Sequence, residues 1–93
     1  MLESQIQTKI IAFLKGKAYV VKTIATNKAG VPDLLVCYKG LFIGLEVKRP
    51  KNPSKTHEAL QAFHQQSIRD YGGLVYIVTS VDEVKKILEQ IEC

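Results

Sequence analysis

Asp33, Glu46 and Lys48 are the residues whose types and spacing could do chemistry together. Lys39-Gly40 lies between two apolar stretches, 33–38 and 41–48, and reads as the two-residue turn of a β-hairpin. Closing that turn pairs Tyr38 with Leu41, Cys37 with Phe42, Val36 with Ile43, Leu35 with Gly44 and Leu34 with Leu45. The next pair is Asp33 with Glu46, and directly opposed residues of an antiparallel pair have Cβ atoms about 4.5–5.5 Å apart. Two ionised carboxylates so placed repel unless something neutralises them. Side chains alternate along a strand, so Lys48 shares the face of Glu46. Two hard oxygen ligands at this separation suit Mg²⁺ or Mn²⁺. Such an ion acidifies water and stabilises charge developing on a phosphate, and a neighbouring lysine can orient or deprotonate that water. The bland alternative is an ion-paired network of the same three residues at a sheet rim. The surroundings favour the chemical one: the only acids in residues 1–55 are Glu3, Asp33 and Glu46, set among ten Lys and Arg.

The hairpin needs a scaffold, and the chain supplies one. Leu2, Ile6, Ile10, Phe13 and Leu14 recur at helical spacing, with Gly16 as the stop, which predicts a helix over 2–15. Residues 18–26 are β-branched and aromatic and predict a strand, broken by Asn27-Lys28-Ala29-Gly30. Pro50 and Pro53 keep the stretch after the hairpin irregular; Ser54 or Thr56 can cap a helix running to Tyr71 and closed by Gly72-Gly73. Leu74-Val75-Tyr76-Ile77-Val78 is an apolar run of buried-strand type. Ser80-Val81-Asp82-Glu83 is a capping box opening a last helix with Val84, Ile87, Leu88 and Ile91 on one stripe. The order α-β-β-β-α-β-α describes an α/β fold, a mixed sheet flanked by helices. Leu34, Val36, Tyr38, Leu41, Ile43, Leu45 and Val47 form its core-facing side, opposite the carboxylates.

Ninety-three residues allow one small domain, 1–93. At 46% hydrophobic and 24% charged, the composition is that of a globular chain. No apolar run approaches the roughly 20 residues that span a bilayer, and the polar start Met1-Leu2-Glu3-Ser4-Gln5 excludes a secretory signal. Cys37 and Cys93 cannot form a disulfide framework, so a cytoplasmic protein with reduced thiols is expected, with no membrane partner. Residues 1–55 carry ten Lys and Arg against three acids, whereas 56–93 carry three against six. The run Lys48 to Lys55 holds four basic residues and no acid, which suggests a polyanion partner or, more plainly, a solvated loop.

At Val31-Pro32-Asp33 and Glu46-Val47-Lys48 the sequence resembles the PD-(D/E)XK nuclease superfamily, whose motif is Pro-Asp, a strand, then Glu-X-Lys. More specifically it resembles the virus-type replication-repair nuclease (VRR-NUC) domain, over nearly the whole chain. Glu3 matches that family's acidic residue in the first helix, and Gln61 its glutamine in the helix after Glu-X-Lys. Gly72-Gly73-Leu74-Val75-Tyr76 and Val78-Thr79-Ser80-Val81-Asp82-Glu83-Val84 are also similar. The Leu-Ser-Pro-like lead-in to the family's glutamine is replaced by Pro53-Ser54-Lys55-Thr56-His57, which leaves Gln65 and Gln66 as rivals to Gln61.

The resemblance implies a restriction-endonuclease-like αβββαβα core and a Mg²⁺- or Mn²⁺-dependent DNA endonuclease. Asp33, Glu46, Lys48, Glu3 and Gln61 would be its catalytic residues, with Asp33, Glu46, the Val47 carbonyl and, through water, Glu3 around the metal. Stand-alone members resemble Holliday-junction resolvases, which implies a homodimer preferring branched DNA in replication, repair or recombination, in a bacterium or phage-infected cell. Lys28, Lys39, Arg49, Lys51 and Lys55 would contact phosphates without reading sequence. A non-catalytic nucleic-acid-binding or assembly module on the same fold is the alternative, and a nuclease for linear ends or RNA is a third. The plain roles are first-turn charge for Glu3, an exposed amide for Gln61, surface positions for His57 and His64, and packing for Tyr19, Tyr71 and Tyr76. Cys37 is expected to pack against a helix on the site-facing side of the hairpin.

Overall fold

The computed structural model describes residues 2–24, 30–49 and 58–92, with the side chain of Glu58 left out. The elements run α1 (Glu3–Leu14), β1 (Tyr19–Lys22), β2 (Leu34–Tyr38), β3 (Leu41–Val47), α2 (Glu58–Asp70), β4 (Leu74–Val78) and α3 (Val81–Glu92). This is the expected α-β-β-β-α-β-α order, and the four strands form one mixed sheet in the order β1-β2-β3-β4.

Local signals set the boundaries. The Gln5 side-chain oxygen accepts the Leu2 N–H at 2.8 Å at the start of α1. At the end of α2, Gly72 has φ 93°, the Gly73 N–H donates to Ile68 O at 2.8 Å, and the Gly72 N–H donates to Arg69 O at 3.0 Å. That pair of bonds is a Schellman ending, which requires the left-handed residue. At α3 the Glu83 N–H donates to Ser80 Oγ at 3.3 Å, while the Glu83 carboxylate reaches back to Thr79 Oγ1 at 2.8 Å.

The hairpin adopts the expected register. Lys39 and Gly40 both take positive φ, 51° and 83°, the signature of the turn whose twist matches its strands. Every pair from Tyr38–Leu41 to Leu34–Leu45 forms as the two-residue turn requires. β1 runs antiparallel to β2 and is shorter than the predicted 18–26, ending at Lys22 opposite Leu34. Pro32, with no N–H to donate, stops the ladder there. β3 and β4 are parallel, with Glu46 level with Ile77.

The main core lies on one face of the sheet. Ile6, Ile10, Leu14, Val84, Ile87 and Leu88 from α1 and α3 pack on Leu34, Val36, Tyr38, Ile43, Leu45, Val47 and Val78. Leu41, beside the turn, is the one residue of the predicted stripe that stays exposed. Among the described residues, α2 alone lies on the other face. Ile68 of α2 approaches Gly44 and Gly73, where any Cβ would come within 3.4 and 2.5 Å of it. Cys37, Tyr19 and Tyr71 are exposed, contrary to the expected packing. A single helix cannot cover four strands, and these residues lie outside its footprint. Among the described residues no helix is long and apolar enough to cross a membrane.

Candidate active site

Asp33 stands just before β2, where the β1–β2 ladder ends. Thr23 fixes its backbone: the Thr23 N–H donates to Asp33 O at 2.9 Å, and the Thr23 hydroxyl donates to Pro32 O at 2.9 Å. The Asp33 carboxylate then crosses the hairpin and accepts the Val47 N–H through Oδ2 at 2.8 Å. Its charge is thereby held against β3, next to Glu46, instead of in water.

Glu46 is the buried charged residue of the described structure, with 3% of its surface exposed, and its Oε2 has no hydrogen-bond partner. Burial, first, and then hydrogen bonding to Asp33 and repulsion from its charge push the Glu46 carboxyl up to about 8. Lys48 pulls it down and Glu3 pushes it further up, so three charged side chains act on Glu46. The arrangement therefore has too little positive charge at its centre, the electrostatic condition of a cation site.

The Lys48 N–H donates to Val78 O at 2.9 Å, which extends the parallel pairing and fixes the lysine's origin. Its Nζ donates to Gln61 Oε1 at 3.3 Å, so the N-terminal part of α2 reaches the carboxylate end of the hairpin. Gln61 is the glutamine beside Lys48; Gln66 instead donates to Asp70 on its own helix, at 2.8 Å. Glu3 faces Arg49, whose Nε lies 3.8 Å from Glu3 Oε2 and is buried without a hydrogen-bond partner. Among the described residues no three His, Cys, Asp or Glu side chains are grouped closely enough to hold a metal by themselves. Two carboxylates therefore form the cluster, and Glu3 acts on it through its field.

The basic residues divide. Arg49 is at the site, paired with Glu3. Lys39 is at the opposite end of the hairpin, in a salt bridge with Glu92. That ion pair raises Lys39, through its hydrogen bond to Glu92, and staples the turn to the end of α3. Lys28, Lys51, Lys55 and His57 lie outside the described residues. His64 is half-buried on α2 and stands edge-on to Phe63, with ring centroids 5.3 Å apart. Sequence reasoning missed Thr23. The signal available was a hydroxyl at a strand end opposite a proline that cannot complete the ladder.

A mixed sheet whose hairpin opposes two carboxylates at one end, with a lysine alongside, defines a small α/β domain with a candidate cation site. No protein-family model matches the sequence, and no curated protein matches it. Among solved structures, one described as a VRR_NUC domain is 26% identical, with 94% of this chain and 94% of that chain covered and a TM-score of 0.74. Another, a VRR_NUC domain protein, is 18% identical over 97% of this chain and 87% of that one, and shares the fold at TM-score 0.74. The chain thus has the fold of the VRR-NUC domain structures that it resembles.

Proposed function

We propose that the 93 residues form one divalent-metal-dependent nuclease domain that hydrolyses phosphodiester bonds in DNA, acting on branched substrates such as four-way junctions as a homodimer. The observation that carries the reading is the buried Glu46 carboxyl, with one oxygen unpartnered and with Asp33 and Lys48 acting on it. A structural ion-pair network would satisfy that oxygen; a cation site leaves it free. Hence the residues present fit a hard divalent ion such as Mg²⁺ or Mn²⁺. Asp33, Glu46 and the Val47 carbonyl would hold it, with Glu3 acting through water. When bound, the ion supplies electrostatic stabilisation to charge building on the phosphate and makes nearby water a stronger acid.

The chain's own residues do the rest. Asp33, fixed by the Val47 N–H, contributes a stationary negative charge without loss of side-chain freedom on binding. Glu46, whose carboxyl is pushed up to about 8 by burial, would give up its proton to hold such an ion. Lys48 can donate to a phosphate oxygen or orient the attacking water, and Gln61 holds its Nζ ready by accepting a hydrogen bond. Arg49 offers a guanidinium to a second phosphate of the same strand, at the cost of its pairing with Glu3.

The test is cleavage of four-way and linear DNA across a Mg²⁺ and Mn²⁺ titration, comparing wild type with Asp33→Ala and Lys48→Ala. Metal-dependent cutting that both substitutions reduce by roughly 10²-fold or more is expected. Variants that cut as well as wild type would refute the site. Salt-sensitive binding with no cleavage in any divalent metal would leave a non-catalytic nucleic-acid-binding module on this fold.

A further inference from the structure

The start of α2 rests on a residue without a side chain. Gly30 has φ +88°, a left-handed conformation that strains any other residue. A Cβ there would lie 2.6 Å from the carbonyl carbon of Leu60, 2.7 Å from its Cβ and 2.8 Å from its oxygen. Two of these are backbone atoms in the first turn of α2, which no change of rotamer can move aside. Gly30 therefore meets the helix main chain to main chain.

The next three residues carry this contact into the site. Pro32 is fully buried and rests on Gly44 of β3, where an added Cβ would come within 2.9 Å of Pro32 Cγ. Asp33 follows, and its carboxylate accepts the Val47 N–H at 2.8 Å. The stretch 30–33 is thus wedged between α2 on one side and β3 on the other. The turn that holds Leu60 also holds Gln61, whose Oε1 stands 3.3 Å from Lys48 Nζ. That is the outer limit of a hydrogen bond, so a small lift of the helix breaks it.

We infer that Gly30 is a positioning residue of the candidate site: its bare backbone sets the height of α2 above the Asp33 segment and so keeps Gln61 against Lys48. Carbon atoms in contact settle about 3.5–4.0 Å apart, so admitting a Cβ opens the 2.6 Å gap by about 1 Å. Carried to Gln61, that lift takes its amide out of reach of Lys48. A misplacement of about 1 Å at a reacting centre costs roughly 10²-fold in rate. The inference rests on the nuclease reading above and adds to it a residue that touches neither ion nor substrate. Gly72 supplies the comparison, since it has φ +93° with nothing within 4 Å of an added Cβ. An alanine there bears the same backbone strain and displaces nothing.

Gly30→Ala, Gly72→Ala and Gln61→Ala, alone and in pairs, test it through single-turnover cleavage in Mg²⁺. Gly30→Ala is expected to slow cleavage at least about tenfold. Adding Gln61→Ala to it should cost less than about twofold more, because the amide is already displaced. On Gly72→Ala, Gln61→Ala keeps its full cost. Undiminished cleavage by Gly30→Ala, or losses that multiply in full with Gln61→Ala, overturn the inference and leave the nuclease reading standing. The second readout, the NMR resonance of the Gln61 side-chain amide, needs no cleavage. Lys48→Met should shift it in wild type and leave it in place in Gly30→Ala. A shift of equal size in both overturns the inference, even in a chain that cuts nothing. Should Gly30→Ala fail to fold, Thr23→Val decides, as it frees the Pro32 carbonyl with a side chain of the same shape. A displaced Gln61 resonance then supports the inference, and an unmoved one overturns it.

Discussion

Replacing Glu46 with glutamine isolates the consequence of burying that carboxyl. With its pKa at about 8 in the fold and near the ordinary 4.5 in the unfolded chain, Glu46 is protonated in the native state over a range where the unfolded state has lost the proton. The native state thus binds more protons between those values, and stability falls as pH rises, by up to about 1.4 kcal/mol per pH unit. Glu46's contribution is fully present below pH 4.5 and lost by pH 8. The whole loss is on the order of 4 kcal/mol, a large part of the 5–15 kcal/mol that is typical of a domain. Glutamine has nearly the same shape and cannot titrate. Glu46→Gln should therefore match wild type within about 1 kcal/mol near pH 4.5 and exceed it by on the order of 4 kcal/mol near pH 8.5. Urea unfolding in chelator, at matched m-values, measures both. A difference between the two proteins that stays flat across that pH range would refute the reasoning, because a carboxyl open to water titrates alike in both states.

Four other outcomes follow from the same geometry. Thr23→Val removes the hydroxyl that holds the Pro32 carbonyl and should cost about 1 kcal/mol by urea unfolding; as it also loosens Asp33, cleavage should fall more than stability does. Gln61→Ala frees Lys48 Nζ and should lower the cleavage rate about tenfold with no change in melting temperature. Gly30→Ala puts a Cβ 2.6 Å from the Leu60 backbone at a residue with φ +88° and should destabilise by about 3 kcal/mol or more, read by calorimetry. Lys39→Ala removes only an exposed ion pair with Glu92, so the melting temperature should hardly move, and DNA affinity should not change.

The hairpin is legible because its turn is. Lys39-Gly40 fixes one register, and a register fixes every cross-strand pair down to the carboxylates. Helix ends are equally legible where a glycine or a serine must act, as at Gly72 and Ser80. The extent of β1 is misread because its end is set by Pro32, a residue on its partner. The open half of the sheet is invisible for a related reason: the pattern of Val21, Leu35, Cys37 and Phe42 reads as a surface that something covers, and how far α2 extends sideways is not written in either strand. The pairings of Glu3 with Arg49 and of Lys39 with Glu92 join elements remote in sequence, so no local spacing announces them.

β3 has one neighbour running against it and one running with it. A strand that continues to a parallel neighbour must send the chain back along the length of the sheet before it can begin again. That return journey starts at Val47 and is complete once α2 delivers the chain to Leu74. Its outset lies where Glu46 and Lys48 stand, and its helix arrives beside them with Gln61. Lengthening or recharging the connection between β3 and α2 would leave the strands themselves untouched. Relatives could thus diverge in what they admit while keeping one unaltered floor.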